Sequence, residues 1–201
     1  MVAAAETSTV TRLRFSYAEM SSWALQYILR VPIALSHFSY SPVDDIDIDL
    51  PQLMSAMAPL RPSVQYLHLD FCNVELMTID EVDKFILPYD EGSLRSWSML
   101  RTLSCSLMPL LGNGQRDGSP RLMNVLPAGI RELEILEDCI WSIPEKVDQI
   151  VEMLAQKDWV VPCLEKLAVV LKLVKCQRAT DELTIACEAA GVSFVEDSFV
   201  W

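Results

Sequence analysis

The chain has 201 residues, 51% of them apolar, which suits one domain with a real core and excludes disorder over most of its length. Its net charge of -12 argues against a nucleic-acid backbone or an anionic membrane as the main partner, since both would repel it; a protein partner with a basic surface is permitted.

Residues 1–9 are expected to be disordered or extended, and MVAAAETSTV lacks the apolar core of a signal peptide. A phrase Ψ-x-x-Ψ-x-Ψ, with Ψ apolar, then starts at Val10 (Val10, Leu13, Phe15). Leu25, Ile28 and Leu29 follow at helical spacing behind Ser21 and Ser22, either of which can cap the start. The phrase returns at Leu35 (Leu35, Phe38, Tyr40), and DDIDID (44–49) leads from it into a second helix. There Leu50, Leu53, Met54 and Met57 hold i, i+3, i+4, i+7 spacing with Asp49 as N-cap. A third copy starts at Val64 (Val64, Leu67, Leu69). Thr78 with Glu81 then forms a capping-box signature ahead of Val82 and Ile86.

LPYDEGSLRSWS (87–98) lengthens the way to the fourth copy at Leu100 (Leu100, Leu103, Cys105), after which GNGQRDGSP (112–120) reads as a loop. LPAGIRELEI (126–135) and VPCLEKLAV (161–169) are the fifth and sixth copies, on Ile130, Leu133, Ile135 and Leu164, Leu167, Val169. Between them Val147, Ile150, Val151 and Leu154 mark a helix opened by Ser142 and Pro144. A last helix, Leu183, Cys187 and Ala190 behind Thr180, stops at Gly191, and VSFV (192–195) is a shorter, weaker copy.

Start-to-start spacings are 25, 29, 36, 30 and 34 residues, the range of a solenoid. In L-x-x-L-x-L-x-x-N/C, two apolar residues separated by one point to the same side of a short strand, and the first turns in from the preceding corner. Cys72 and Asp138 suit the ninth position, whereas Ala18 and Val43 do not. The expected fold is therefore α/β: a leucine-rich-repeat solenoid of about six irregular repeats over 10–201, with a short parallel sheet on the concave side and helices on the convex side. No repeat buries its apolar face alone, so neighbours must stack.

GSLRSWSMLRTLSC, LPAGIRELEI, WSIPEKVDQIVEMLAQKDWVVPCLEKLAV and the closing helix with GVSF resemble the C-terminal region of fungal leucine-rich-repeat proteins, over about residues 10–196. Many members carry an F-box near the N-terminus, and the resemblance then implies presentation of targets to a ubiquitin ligase. With the first repeat at Val10, no F-box is expected within these residues, whether the chain is a short form or has lost an N-terminal half, so adaptor recruitment is not carried over to them. With little to cap that end, self-association through the first repeat, or a partner covering it, is expected.

The outward strand positions define a candidate partner-binding strip: Arg12 and Arg14, His37 and Ser39, Tyr66 and His68, Thr102 and Ser104, Glu132 and Glu134, Lys166 and Ala168. Tyr17, Asp70 and Phe71 flank it. The strip runs from basic through aromatic and histidine to acidic, with one lysine beyond. Aromatic and Arg anchors supply most of the energy at such surfaces, although the same residues also suit a plain solvated face.

The same residues also hold groups with acid–base chemistry. His68 and Asp70 share a strand face with His37 beside them, with Ser39 and Ser104 nearby, but no G-x-S-x-G elbow exists and no catalytic residue is assigned. Counted from Asp45, a calcium loop would need Gly and Glu where Leu50 and Ala56 stand. The six cysteines, at 72, 105, 139, 163, 176 and 187, show no C-x-x-C and read as buried free thiols, so no metal or cofactor is expected. Trp97, Trp141 and Trp159 read as packing at helix–strand corners. No stretch approaches the ~20 apolar residues of a membrane span, and an intracellular address, cytoplasm or nucleus, is expected. The sequence thus points to a protein-interaction scaffold, with an enzyme or small-molecule binder using His37 and His68 as the alternative.

Overall fold

A computed structural model describes residues 8–43, 49–71, 93–111, 120–136, 144–171 and 177–198. Residues 1–7, 44–48, Cys72, Thr78, Glu81, Val82, Ile86, residues 87–92, most of the 112–120 loop, Asp138, Cys139, Trp141, Ser142 and Cys176, on which the sequence carries expectations, lie outside them.

The described chain is a mixed α/β structure built on a seven-stranded, all-parallel sheet whose strands follow chain order. The strands are β1 (Arg12–Ala18), β2 (His37–Pro42), β3 (Tyr66–Leu69), β4 (Thr102–Ser106), β5 (Glu132–Leu136), β6 (Lys166–Leu171) and β7 (Ser193–Ser198). Each of the six phrases ends in its own strand. The weak copy at 192–195 becomes β7, a full strand paired with β6 at six positions. When successive parallel strands add on the same side, right-handed crossovers put every connecting helix on one face.

Among the described residues seven helices lie between the strands: α1 (Ser22–Ile28), α2 (Leu50–Met57), α3 (Leu107–Leu111), α4 (Leu122–Val125), α5 (Pro144–Ala155), α6 (Lys157–Val160) and α7 (Gln177–Ala190). The sequence signals explain their ends. Ser21 Oγ accepts from the Ala24 N–H at 3.4 Å, and Asp49 Oδ1 accepts from the Gln52 N–H at 2.7 Å. In α2 the residues Leu50, Leu53, Met54 and Met57 are all buried, so the predicted stripe is the core stripe. Helix α7 begins at Gln177, which puts Thr180 inside it, where its carbonyl accepts from the Thr184 hydroxyl at 2.8 Å. Gly191 has φ +65°; its N–H reaches the Glu188 carbonyl and the Val192 N–H the Cys187 carbonyl, a Schellman C-cap.

Register turns the sequence repeat into geometry. Leu13, Phe38, Leu67, Leu103, Leu133, Leu167 and Phe194 form one row across the sheet, and Phe15, Tyr40, Leu69, Cys105, Ile135, Val169 and Glu196 the next. These rows pack with Leu25, Leu53, Ile150 and Leu183 of the helices in one core. Each fully buried aliphatic side chain there contributes roughly 1.5–3 kcal/mol. The backbone repeats as well: the carbonyls of Thr11, Ser36, Gln65, Arg101 and Arg131 each accept two successive N–H groups from the next unit. The LPAG corner has its own reason. Arg101 Nη1 donates to the carbonyls of Ser98 (3.1 Å), Leu100 (3.4 Å) and Gly129 (3.0 Å), and a Cβ on Gly129 would fall on that guanidinium.

Three expectations need correction. Trp97 is fully buried, but Trp159 is 90% exposed, because α6 turns Val160 and Val161 inward instead. Cys105 and Cys187 are buried, whereas Cys163 is exposed in the turn before Leu164. Phe71 is core, edge-on to the Tyr40 ring, rather than a flank of the outer strip. Among the described residues no helix is long and apolar enough to cross a membrane.

Candidate functional site

The face of the sheet opposite the helices carries the alternate residues, again in rows. Arg12, His37, Tyr66, Thr102, Glu132, Lys166 and Ser193 are register partners in succession. Two residues along each strand, Arg14, Ser39, His68, Ser104, Glu134, Ala168 and Val195 form a second row. Asp70 follows His68 by two and accepts from the Ser41 hydroxyl at 3.4 Å. The twelve residues of the predicted strip therefore share one face, side by side. Tyr17, which flanks them, is 62% exposed at φ 51°, where β1 and β2 slip register between Ser16 and Ala18.

Exposure is uneven. Arg12, Arg14 and Glu132 stand in solvent; His37, Tyr66, His68, Thr102, Glu134 and Lys166 are partly buried; Ser104 and Ala168 are buried. The His37 ring stacks on Tyr66, centroids 5.6 Å apart and planes 24° from parallel. Burial lowers the His37 pKa, and the neighbouring Arg12 charge adds to that. Burial lowers His68 too and Arg14 helps, against Asp70 and Glu134, which pull upward. Tyr66 is raised, chiefly by burial and then by Glu134. The middle of the strip is thus uncharged near neutral pH, with arginines at one end and glutamates at the other.

The serine–histidine geometry does not assemble a nucleophile. His68 Nδ1 and Ser104 Oγ are 2.8 Å apart, but Ser104 is wholly buried and cannot meet an external substrate. Ser36 Oγ lies 2.8 Å from His37 Nδ1 and also donates to the Thr11 carbonyl at 2.9 Å. A hydroxyl has one proton, so the histidine bond is filled by Nδ1–H donating into Ser36 Oγ. Both bonds hold rings in place. Among the described residues no three His, Cys, Asp or Glu side chains group as a metal site would require.

Two surfaces were not anticipated from the sequence. Trp23 and Tyr27 of α1 are 60% and 52% exposed, in edge-to-face contact at 4.7 Å, with Arg30 over the Tyr27 ring. Their i, i+4, i+7 spacing beside the Leu25–Leu29 core stripe was the available signal. A cleft of about 410 Å³ opens between α5, α6 and α7, lined by Trp159, Lys157, Asp158 and the alanines 186, 189 and 190 among others. Its mixed lining converges on no single ligand chemistry. No family model, curated protein or solved structure matches the chain.

Proposed function

We propose that the chain is a non-enzymatic protein-interaction scaffold of the leucine-rich-repeat type, and that the open sheet face is its recognition surface, as in target recognition for a ubiquitin-ligase-type assembly. One observation carries this reading: the sheet holds Arg, His, Tyr and Glu side chains in two in-register rows, and its internal hydrogen bonds fix ring orientation instead of activating a nucleophile. Aromatic rings already held by stacking and hydrogen bonds suit partner binding, because they lose little side-chain entropy there, and arginines beside them add charge and hydrogen-bond donors. The test uses Glu132→Lys/Glu134→Lys in the full chain. Proteins retained by the wild type should be lost from the variant, and the loss should recur with purified components. Unchanged retention overturns the placement of the surface.

A second reading, a small-molecule site around His37 and His68, draws on the His37–Tyr66 stack. It requires His68→Ala to alter ligand-dependent melting while Glu132→Lys/Glu134→Lys leaves it unchanged.

Self-association through the first unit belongs to the same proposal. Val10, Tyr17, Trp23, Tyr27, Val31 and Ile33 are all exposed there, and Leu13 and Phe15 of β1 are only partly buried. Such a cluster at a sheet edge favours contact between copies.

A further inference from the structure

We propose that the occupant of the strip is an extended polypeptide segment lying across the strands, acidic at one end and basic about six residues further along. This rests on the interaction-surface reading above and names the kind of partner it takes.

The charges set the polarity. In a chain of net charge -12, the exposed pair Arg12 and Arg14 projects from the open face of β1. Glu132 and Glu134 occupy the same two register rows on β5. Between them His37, Tyr66, Thr102, Ser39 and His68 supply rings and hydroxyls without a fixed charge. Lys166 stands beside Glu132 on the next strand, which leaves Glu134, next to buried Ala168, as the better partner for a cation. A uniformly basic partner would put like charges over Arg12 and Arg14, so one surface must offer both signs.

Spacing sets the length. Four inter-strand steps separate β1 from β5, about 19 Å at the usual strand separation, which an extended chain covers in about six residues. The two charged rows lie about 7 Å apart along the strands, narrower than the 10–12 Å of a helix with its side chains. An aromatic residue midway would meet the His37–Tyr66 stack.

Fluorescence anisotropy on the full chain tests this with labelled, end-blocked peptides. GDTVYTVKG and GKTVYTVDG carry the charges at the proposed separation in the two chain directions, GTVDYKTVG brings them close, and GKTVYTVKG is basic throughout. One of the first two should bind about tenfold tighter than both controls. The chain with Arg12→Glu/Arg14→Glu/Glu132→Lys/Glu134→Lys should reverse the preference between those two. Equal binding of all four peptides, or a preference that survives the fourfold charge reversal, overturns the proposal. Should Glu132→Lys/Glu134→Lys still abolish capture of a natural partner, the interaction surface stands and only the dipolar segment fails. Should neither experiment respond, both fail.

Discussion

Ser104 lies wholly out of solvent beside His68, its Oγ 2.8 Å from Nδ1, and that ring sits among Asp70, Glu134 and Arg14. Burial outweighs the two carboxylates and lowers the His68 pKa; burial and Arg12 lower that of His37, and the chain has no third histidine. The unfolded chain therefore takes up protons near pH 6.5 that the folded chain resists. The stability held by the neutral rings is complete above about pH 6.5 and is lost as pH falls toward the lowered folded values. Urea midpoints should drop between about pH 7 and 5.5, before most carboxylates titrate. His37→Gln/His68→Gln should flatten that drop, and parallel curves for variant and wild type would refute the assignment.

Leu133 stands in the inner row, 1% exposed, while Thr102 faces the opposite way on the neighbouring strand. Leu133→Ala should cost about 2–5 kcal/mol, the transfer of the side chain plus the cavity left behind. Thr102→Ala should stay within about 0.5 kcal/mol, as for a surface change. Equilibrium urea unfolding of both variants gives the comparison. Equal costs would mean that the faces have been exchanged.

The all-parallel sheet and its register were legible because period 2 inside a repeat of 25–36 residues leaves few alternatives: the third and fifth positions must share a face. The twelve strip residues came together for the same reason. Ser104 illustrates the limit. It occupies an outward position, yet the His68 ring and its neighbours exclude water from it, and no periodicity encodes such lateral packing. Trp159 shows the opposite failure, since the single turn α6 changes which side chain faces the core. Cys163 follows from the same corner, where turn geometry rather than hydropathy decides exposure.

That corner makes the thiols separable. Exposed Cys163 should react with iodoacetamide in the native chain, whereas Cys105 and Cys187 should react only on unfolding. Burial also pushes the Cys187 thiol up to about 11, so little thiolate forms at neutral pH. Peptide mapping after brief labelling distinguishes the three. Native labelling of Cys187 at the Cys163 rate would place α7 wrongly against the core.

Gly129 and Arg101 should behave as a coupled pair. A Cβ at Gly129 displaces the guanidinium from the three carbonyls it bridges. Gly129→Ala should cost about 1–2 kcal/mol alone and much less in an Arg101→Met background. At Gly191 a Cβ meets nothing within 4 Å, so Gly191→Ala tests φ +65° by itself, at about 1–2 kcal/mol. A double-mutant cycle by urea unfolding measures the first; additive losses would remove the Arg101 clamp as the reason for glycine in that corner.

The two edges of the sheet are unlike, and that decides how copies should meet. On β7 the inner row carries Glu196 where every other strand has an apolar residue, and a charge turned toward the core discourages a further strand. On β1 the same rows hold Leu13 and Phe15, partly buried, and among the described residues no strand pairs with its outer edge. Trp23 and Tyr27 add a second exposed apolar pair on α1, in the connection between β1 and β2. Light scattering should show a mass that rises with concentration, and Trp23→Ser/Tyr27→Ser should hold it at the monomer value while the urea midpoint stays unchanged. Glu196→Leu should add a second, head-to-tail contact through the now apolar β7 edge and lengthen the assemblies, because a heterologous contact does not close on itself. A wild-type chain that remains monomeric at high concentration would show that Arg12, Arg14 and the slipped register at Tyr17 already blunt the β1 edge.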